Sequence, residues 1–296
     1  MSHSPEQDHL IRVVTRDGNL RGIACTCRNL VSAVCRLHQT SPTAAVALGR
    51  ALAGGALMGA LLKGSQRVAL KFEGNGPLGK ILVEAEADGT VSGYVGNPRA
   101  DLPPRDGHFD VEGLLGRAGL LTVTKDLGLR EPYSGTVQLV SSTVAKDLAY
   151  YFTDSEQIPS AVGLGVLLNQ SLEVSAAGGF LVQSLPRADE SAEDRVIETI
   201  SSMPPTTEMI REGKTPEDIL RYIFGDLPLE VLEERPVFFK CHCSRDRMLQ
   251  ALKVLGREEI ESIVEEQDGL ELRCDFCGTK YRFRPDELEG LFEPVH

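Results

Sequence analysis

An α+β fold with largely antiparallel strands is what this sequence predicts. Strand-like segments follow one another across hairpin signals instead of alternating with helices, which argues against a parallel sheet. One long run of small apolar residues carries helical punctuation and needs a sheet to bury it. Beyond residue 187 the composition turns sharply acidic. The 296 residues are therefore expected to form an N-terminal α+β core domain with packed helices at 1–187, an acidic helical linker at 188–234 and a small C-terminal module at 235–296.

Taken in order, residues 10–16 alternate and turn at Asp17-Gly18, a hairpin signal, with 19–28 as the returning strand. Cys25 and Cys27 stand two apart there, sharing one face with Ile23, and Cys35 follows in a helix. All three are read as buried small hydrophobes, since free cysteine is among the most buried residue types. Thr40-Ser41-Pro42 opens the next helix with a hydroxyl cap and a proline in the first turn. That helix continues from Ala44 to Leu62 almost without polarity, and Gly55 and Gly59 even supply a small-xxx-small spacing. Arg50 in mid-segment, and the dominance of Ala and Gly over Leu and Ile, predict burial against a sheet and no membrane span.

Strands are expected at 66–74, 79–87 and 89–95. Between the first two, Gly74-Asn75-Gly76-Pro77-Leu78-Gly79 matches the dinucleotide fingerprint letter for letter. That fingerprint needs a helix straight afterwards, to receive a pyrophosphate at its N-terminus. Here strand-like Lys80-Ile-Leu-Val-Glu follows and Pro77 interrupts, so the motif reads as a hairpin loop and no nucleotide cofactor is expected. Strands at 120–125, 135–140, 163–169 and 172–183 and a helix at 143–153 complete the domain, with a bulge expected at Gly178-Gly179. The six histidines are scattered and only His242 lies near a nucleophile. No catalytic residue is assigned. A net charge of -12, no tryptophan and few aromatics argue against a nucleic-acid surface.

From Ala188 to Glu234 thirteen acidic residues stand against four basic ones. Helices are predicted at 190–202, at 215–224, where Thr215 caps Pro216, Glu217 and Asp218, and at 229–233. They are short, thinly apolar and interrupted by Pro204-Pro205 and Gly213. Two readings stay open: an ordinary connector, or a metastable element that unfolds easily.

The module that follows carries Cys241-His242-Cys243 and, about thirty residues on, Cys274-Asp275-Phe276-Cys277. Each pair can place two sulfurs on one ion, and four thiolates at about 2.3 Å in a tetrahedron form the usual closed zinc site. The expected ligands of one Zn²⁺ are Cys241, Cys243, Cys274 and Cys277, with His242 a bystander because structural sites close at four. Under an oxidant the same thiols could close into disulfides instead. Ser244 is expected to cap a helix ending at Gly256, and 257–267 to form a second. Strands at 270–274 and 280–283 would flank C-x-x-C-G as a knuckle. Some sixty residues cannot rely on their own core, and metal binding would supply on the order of 10–16 kcal/mol of folding energy. Arg245, Arg247 and Arg273 are near enough in sequence to favour thiolates. Residues 1–10 show no basic stretch followed by an apolar one, so a reducing cytoplasm is expected. There, close cysteine pairs bind metal or do redox chemistry more often than they form permanent disulfides.

The C-H-C-S and C-D-F-C-G-x-x-Y elements at this spacing closely resemble the 33 kDa chaperonin family of redox-regulated heat-shock holdases. So do D-x-x-I-R at 8–12, H-Q-T-S-P-T-A-A-x-A-L-G-R at 38–50, F-E-G-N-G-P-L-G-K at 72–80 and Y-V-G-N-P at 94–98. The resemblance covers essentially the whole chain and holds at all four cysteines. It implies an ATP-independent molecular chaperone, not an enzyme, that binds unfolded or partly unfolded client proteins under oxidative or heat stress. It implies further that the reduced, zinc-bound form is inactive. Oxidation would join Cys241 to Cys243 and Cys274 to Cys277, release the metal, unfold the module, free the linker and favour a homodimer. Two alternatives differ in class. One is a constitutive zinc ribbon that docks a protein partner. The other is a dithiol oxidoreductase, which would need its C-x-x-C at a helix N-terminus in a βαβ setting, whereas Cys274 and Cys277 fall in a predicted hairpin.

Overall fold

The Asp17-Gly18 signal is answered by strands β1 (His9–Thr15) and β2 (Leu20–Thr26), paired antiparallel with His9 opposite Thr26. The structure is a computed structural model that describes residues 7–186, 190–253, 256, 260, 262 and 269–289. By contact the chain divides into two units, Met1–Lys240 and Cys241–His296.

In the first unit, helices α1 (Arg28–His38) and α2 (Pro42–Gly59) follow β2. Then come β3 (Arg67–Gly74), β4 (Lys80–Glu86), β5 (Thr90–Val95), α3 (Val111–Leu115), β6 (Gly119–Asp126) and β7 (Tyr133–Gln138). Helix α4 (Ala145–Asp154), β8 (Ser160–Leu168) and β9 (Val174–Ser184) lead to α5 (Glu190–Ser202), α6 (Thr206–Arg211) and α7 (Pro216–Phe224). Strands β10 (Leu229–Pro236) and β11 (Phe238–Phe239) close the unit. One sheet has the order β10-β1-β2-β9-β8 and the other β11-β5-β4-β3-β6-β7. All pairings are antiparallel except the short one between β11 and β5. The fold is α+β, as the hairpin-linked strands predict.

Helix α2 packs on strands of both sheets, which explains its composition. Ser41 caps it by accepting from the Ala44 N–H, and Pro42 occupies its first turn. Apart from Pro42 and Arg50 every residue of α2 is buried. Two sheets can approach it this closely only because its side chains are small: a Cβ on Gly55 would lie 2.5 Å from Val83 Cγ1. Among the described residues, no helix is long and apolar enough to cross a membrane.

The first sheet is buried on both faces, and the period-2 alternation of its strands sorts the residues. Leu10, Ile23, Cys25 and Leu181 join the core around α2. Ile11, Val13, Leu20, Ala24, Phe180 and Val182 face the other way, against Ala192, Val196, Met209, Ile219, Leu220, Ile223 and Phe224 of α5–α7. The acidic segment is thus better packed than its sequence suggests. Thr215 and Asp218 form a capping box on α7, and four apolar residues of that helix are fully buried.

Two expectations are corrected. Residues 229–233, expected as a helix, lie in β10, paired antiparallel with β1 from Leu229 opposite Thr15. An available strand edge overrides the weak local preference of a short, Glu-rich run. The bulge falls between Leu167 and Leu168, not at Gly178-Gly179. Those glycines serve close approach instead, since a Cβ on Gly178 would meet the Cys25 carbonyl at 2.2 Å. Helix α6 has no counterpart in the sequence reading. The Gly74–Gly79 motif is a hairpin loop between β3 and β4, as expected, closed by the Gly74 N–H on the Gly79 carbonyl.

In the second unit Ser244 caps α8 (Arg245–Leu252) by accepting from the Arg247 N–H. Strands β12 (Leu270–Arg273) and β13 (Lys280–Phe283) pair antiparallel, and a short helix, Pro285–Glu289, follows. Among the described residues of this unit, Leu252, Ile260, Phe283 and Leu288 form a buried cluster, with Met248, Leu249, Leu270, Leu272 and Tyr281 packed around them. Of the helix expected at 257–267, only Ile260 and Ser262 lie within the described residues.

Candidate metal centre

The β12–β13 turn delivers the second cysteine pair. Cys274 directly follows β12 and donates its N–H to the Thr279 carbonyl, while the Gly278 N–H returns to the Cys274 carbonyl. Gly278 adopts φ 70°, a left-handed conformation that glycine reaches without the penalty a Cβ imposes. The first pair arrives just before α8, in irregular backbone that ends at the Ser244 cap.

The four sulfurs converge. Sγ atoms of Cys241, Cys243, Cys274 and Cys277 all lie within 4.8 Å of one another. The Cys241–Cys274 separation is 3.7 Å and the Cys243–Cys277 separation 3.3 Å. A tetrahedron with metal–sulfur bonds of about 2.3 Å has edges of about 3.8 Å, so the cluster is near the size an ion requires. Four sulfur donors on closely spaced backbone form a soft ligand set that suits zinc. Among the described residues no other group of His, Cys, Asp or Glu meets the same criterion, and His242 is not part of it.

Two hydroxyls complete the surroundings. Tyr281 Oη lies 3.1 Å from Cys243 Sγ, and Thr279 Oγ1 lies 3.1 Å from Cys277 Sγ. Burial raises the Cys277 thiol, but hydrogen bonding with the Thr279 hydroxyl and backbone, and with the neighbouring sulfurs, outweighs it and brings the group down to about 7. Burial dominates at Cys241 and Cys274, and both thiols are raised. The hydrogen bond to Cys243 pushes Tyr281 up to about 12.

Two of the three expected arginines, Arg245 and Arg247, act elsewhere, while the Arg273 guanidinium lies against Gly278. Arg245 binds both Glu287 carboxylate oxygens and the Arg282 carbonyl, and its guanidinium covers the Phe283 ring at 4.5 Å. Arg247 donates to the His242 carbonyl. These contacts hold α8, β13 and the last helix together around the cysteines. The Tyr281 and Thr279 contacts could not be read from ligand spacing. The available signal was their position two and four residues beyond Cys277, where strand alternation puts both on one face.

The remaining cysteines lie in the first unit. Cys25 and Cys27 are fully buried, and Cys27 is the residue preceding α1. Contact with Cys25 and burial both raise the Cys27 thiol well above its ordinary value. Burial pushes Cys35 up to about 11.

Known proteins match this architecture end to end. The family model described as Hsp33 protein matches residues 8–284. The chain belongs to the Hsp33 family. A 33 kDa chaperonin of Geobacter sulfurreducens is 55% identical over 284 residues, covering 96% of this chain and 94% of that one. One of Citrifermentans bemidjiense is 47% identical over 288 residues, covering 97% and 98%. The crystal structure of a 33 kDa chaperonin from Thermotoga maritima superposes with a TM-score of 0.88 at 38% identity, covering 97% of this chain and 98% of that one. Membership of the Hsp33 family supports a chaperone role for the chain.

Proposed function

We propose that this Hsp33-family chain is a redox-gated, ATP-independent holdase whose reduced state is locked by one Zn²⁺ on Cys241, Cys243, Cys274 and Cys277. The observation that carries this reading is the convergence of four thiols within 4.8 Å in a unit whose described residues include few buried apolar ones. When bound, the ion contributes the folding energy that so small a core lacks.

The chain's own residues would open the lock. Each pair, Cys241 with Cys243 and Cys274 with Cys277, loses two electrons to one peroxide. A thiolate sulfur attacks the O–O bond, forms a sulfenic acid and expels hydroxide. The second thiol of the pair then displaces the sulfenic oxygen as water, forming the S–S bond. Two peroxides thus convert four thiols into two disulfides and four waters, and no ligand is left for the ion. The terminal module at 235–296 loses its fold, and the segment at 188–234 loses its support. The core domain at 1–187 keeps its sheets.

The packing of the first unit supports a surface for that release to expose. Helices α5–α7 cover Ile11, Val13, Phe180 and Val182 of the first sheet. Uncovered, this apolar face suits unfolding protein chains, and a second copy would cover part of it in a homodimer. The acidic surface gives nucleic acid no purchase.

The test is to oxidise zinc-loaded protein with hydrogen peroxide at raised temperature, following metal release, free thiols and aggregation of a heat-denatured client. Oxidised protein should suppress aggregation after releasing one zinc per chain. Equal protection by reduced and oxidised protein would refute the gating. A Cys241→Ser, Cys274→Ser variant should protect the client without oxidant.

A further inference from the structure

The first unit holds a cavity of about 610 Å³ between α1, the start of α2 and the turn that joins β8 to β9. Small-ligand sites span about 300–1,000 Å³, so this one has room for a compact organic molecule. Pro42, Ala45 and Val174 give it an apolar floor, and Arg28, Ser32 and Arg36 stand along one wall. Those three positions are four apart in sequence, which puts them on one side of α1. The charge gathered here is opposite to the chain's net -12. Arg28 Nη2 donates to Asn29 Oδ1 at 3.4 Å, and Arg36 Nε donates to the Ser32 carbonyl at 3.2 Å. The second contact turns Arg36 back along α1 towards Arg28. A third guanidinium, Arg99, donates to the side chain of Gln39, which also lines the cavity. Among the described residues none of the three arginines forms an ion pair with a carboxylate. The carboxylates nearby are engaged by other donors. Asp8 accepts from the Asn29 and Leu30 N–H groups, and Glu173, across the cavity, accepts from the Asn169 side-chain amide at 3.4 Å. Asn169 Oδ1 in turn accepts from the Ser171 and Glu173 N–H groups, which fixes that rim.

We propose that this cavity binds a small organic phosphate, with Arg28 and Arg36 holding the charged group and the floor of Pro42, Ala45 and Val174 receiving an apolar body. A guanidinium is a planar fork of donors that matches the oxygens of a phosphate, and bonds to an anion are stronger than those between neutral groups. Arg99 adds a third positive charge at the rim, which favours a doubly charged phosphate over a singly charged carboxylate. The apolar floor discriminates against a bare ion, because only a ligand with a body gains by covering it. Binding would tie α1 to the β8–β9 turn and stabilise the first unit by mass action. It is independent of the state of the cysteines in the second unit.

Phenyl phosphate is the probe, titrated calorimetrically into the full reduced chain at physiological salt, with inorganic phosphate and phenol as its two halves and benzoate as the carboxylate. One saturable site per chain is expected for phenyl phosphate, with either half and benzoate bound at least about tenfold more weakly. Arg36→Gln should weaken phenyl phosphate roughly tenfold, as loss of a hydrogen bond to a charged group does, and Arg28→Gln should do the same. Ser32→Trp keeps every arginine but fills the space above the floor, and should abolish the binding. Arg130→Gln removes an exposed positive charge between β6 and β7 and should change nothing. Should Ser32→Trp fail to fold, the contrast between Arg36→Gln and Arg130→Gln still decides, since both replace exposed side chains. Absence of binding overturns the proposal. Equal affinity for inorganic and phenyl phosphate, or equal loss in Arg130→Gln, does so too, because either would show anions drawn to a basic surface without use of the cavity. Benzoate bound as tightly as phenyl phosphate would overturn the assignment of a phosphate.

Discussion

Seven cysteines share this chain and their surroundings divide them into two kinds. Cys25, Cys27 and Cys35 are enclosed by the core, and burial or thiol contact raises Cys27 and Cys35. Thiolate is the reactive form, so these three should remain silent in the folded protein. Once a chelator has stripped any metal, native alkylation should modify Cys241, Cys243, Cys274 and Cys277 and leave the other three until denaturant is added; early labelling of Cys25 would contradict the burial argument. Asp8 offers a pH test. Its carboxylate accepts from the Asn29 and Leu30 N–H groups at 3.1 and 2.6 Å and caps α1 across more than twenty residues of sequence. Asp8→Ala should cost about 1–2 kcal/mol, as cap removal generally does. Burial raises the Asp8 pKa above 3.8, with the two backbone bonds opposing it. The folded chain therefore holds this proton to higher pH than the unfolded one, and Asp8's contribution is largest below 3.8 and shrinks as pH rises through the raised value. The stability gap between wild type and Asp8→Asn should narrow over that interval in thermal melts; a widening gap would show the sign to be wrong. At this scale the four clustered thiols were legible, because cysteine spacing is a local property. The partners of Arg245, Tyr281 and Asp8 were not, because each contact joins residues that only the fold brings together.

Helix α2 shows how an element's sequence can report its surroundings. Its Ala- and Gly-rich run makes poor sense on a surface but good sense between two sheets, and that placement was legible from the Ser41-Pro42 start and the missing polar face. The glycines carry a measurable cost. Gly55→Leu should overpack against Val83 and destabilise the first unit by about 1–3 kcal/mol, read as a lower denaturant midpoint with little change in slope. A neutral effect would mean that the contact is looser than the 2.5 Å approach implies. Strand β10 is the opposite case. L-E-V-L-E-E-R-P carries no firm period, and what makes it a strand is the exposed edge of β1 beside it. Its outward Val231 and Leu232 stay half exposed. Helices α5 and α7 were legible in position, and α7 also in its Thr215 cap, but α6 and the extent of their burial were not. That burial depends on β1, β2 and β9 having a second apolar face, which no single segment displays.

Across the whole molecule the two units differ in what sustains them. The Met1–Lys240 unit buries an apolar core around α2 that runs through both of its sheets. The described core of the second unit has four buried residues, and its four thiols stand where a metal would tie the β12–β13 turn to the start of α8. Stability then cannot be a single number for this chain, because a bound ion adds to one unit alone. Titrating zinc-loaded protein with a strong chelator should abolish amide protection in β12 and β13 while β3, β4 and β6 keep theirs. Calorimetry should show the lower-temperature transition disappear and the upper one stay within a few degrees. Protection in α5–α7 decides whether the lock extends further. If their amides exchange faster once zinc is gone, the apolar face they cover is opened by events at the cysteines. Should α5–α7 stay as protected as α2, metal loss would be confined to the terminal unit, and the client surface would have to be sought there.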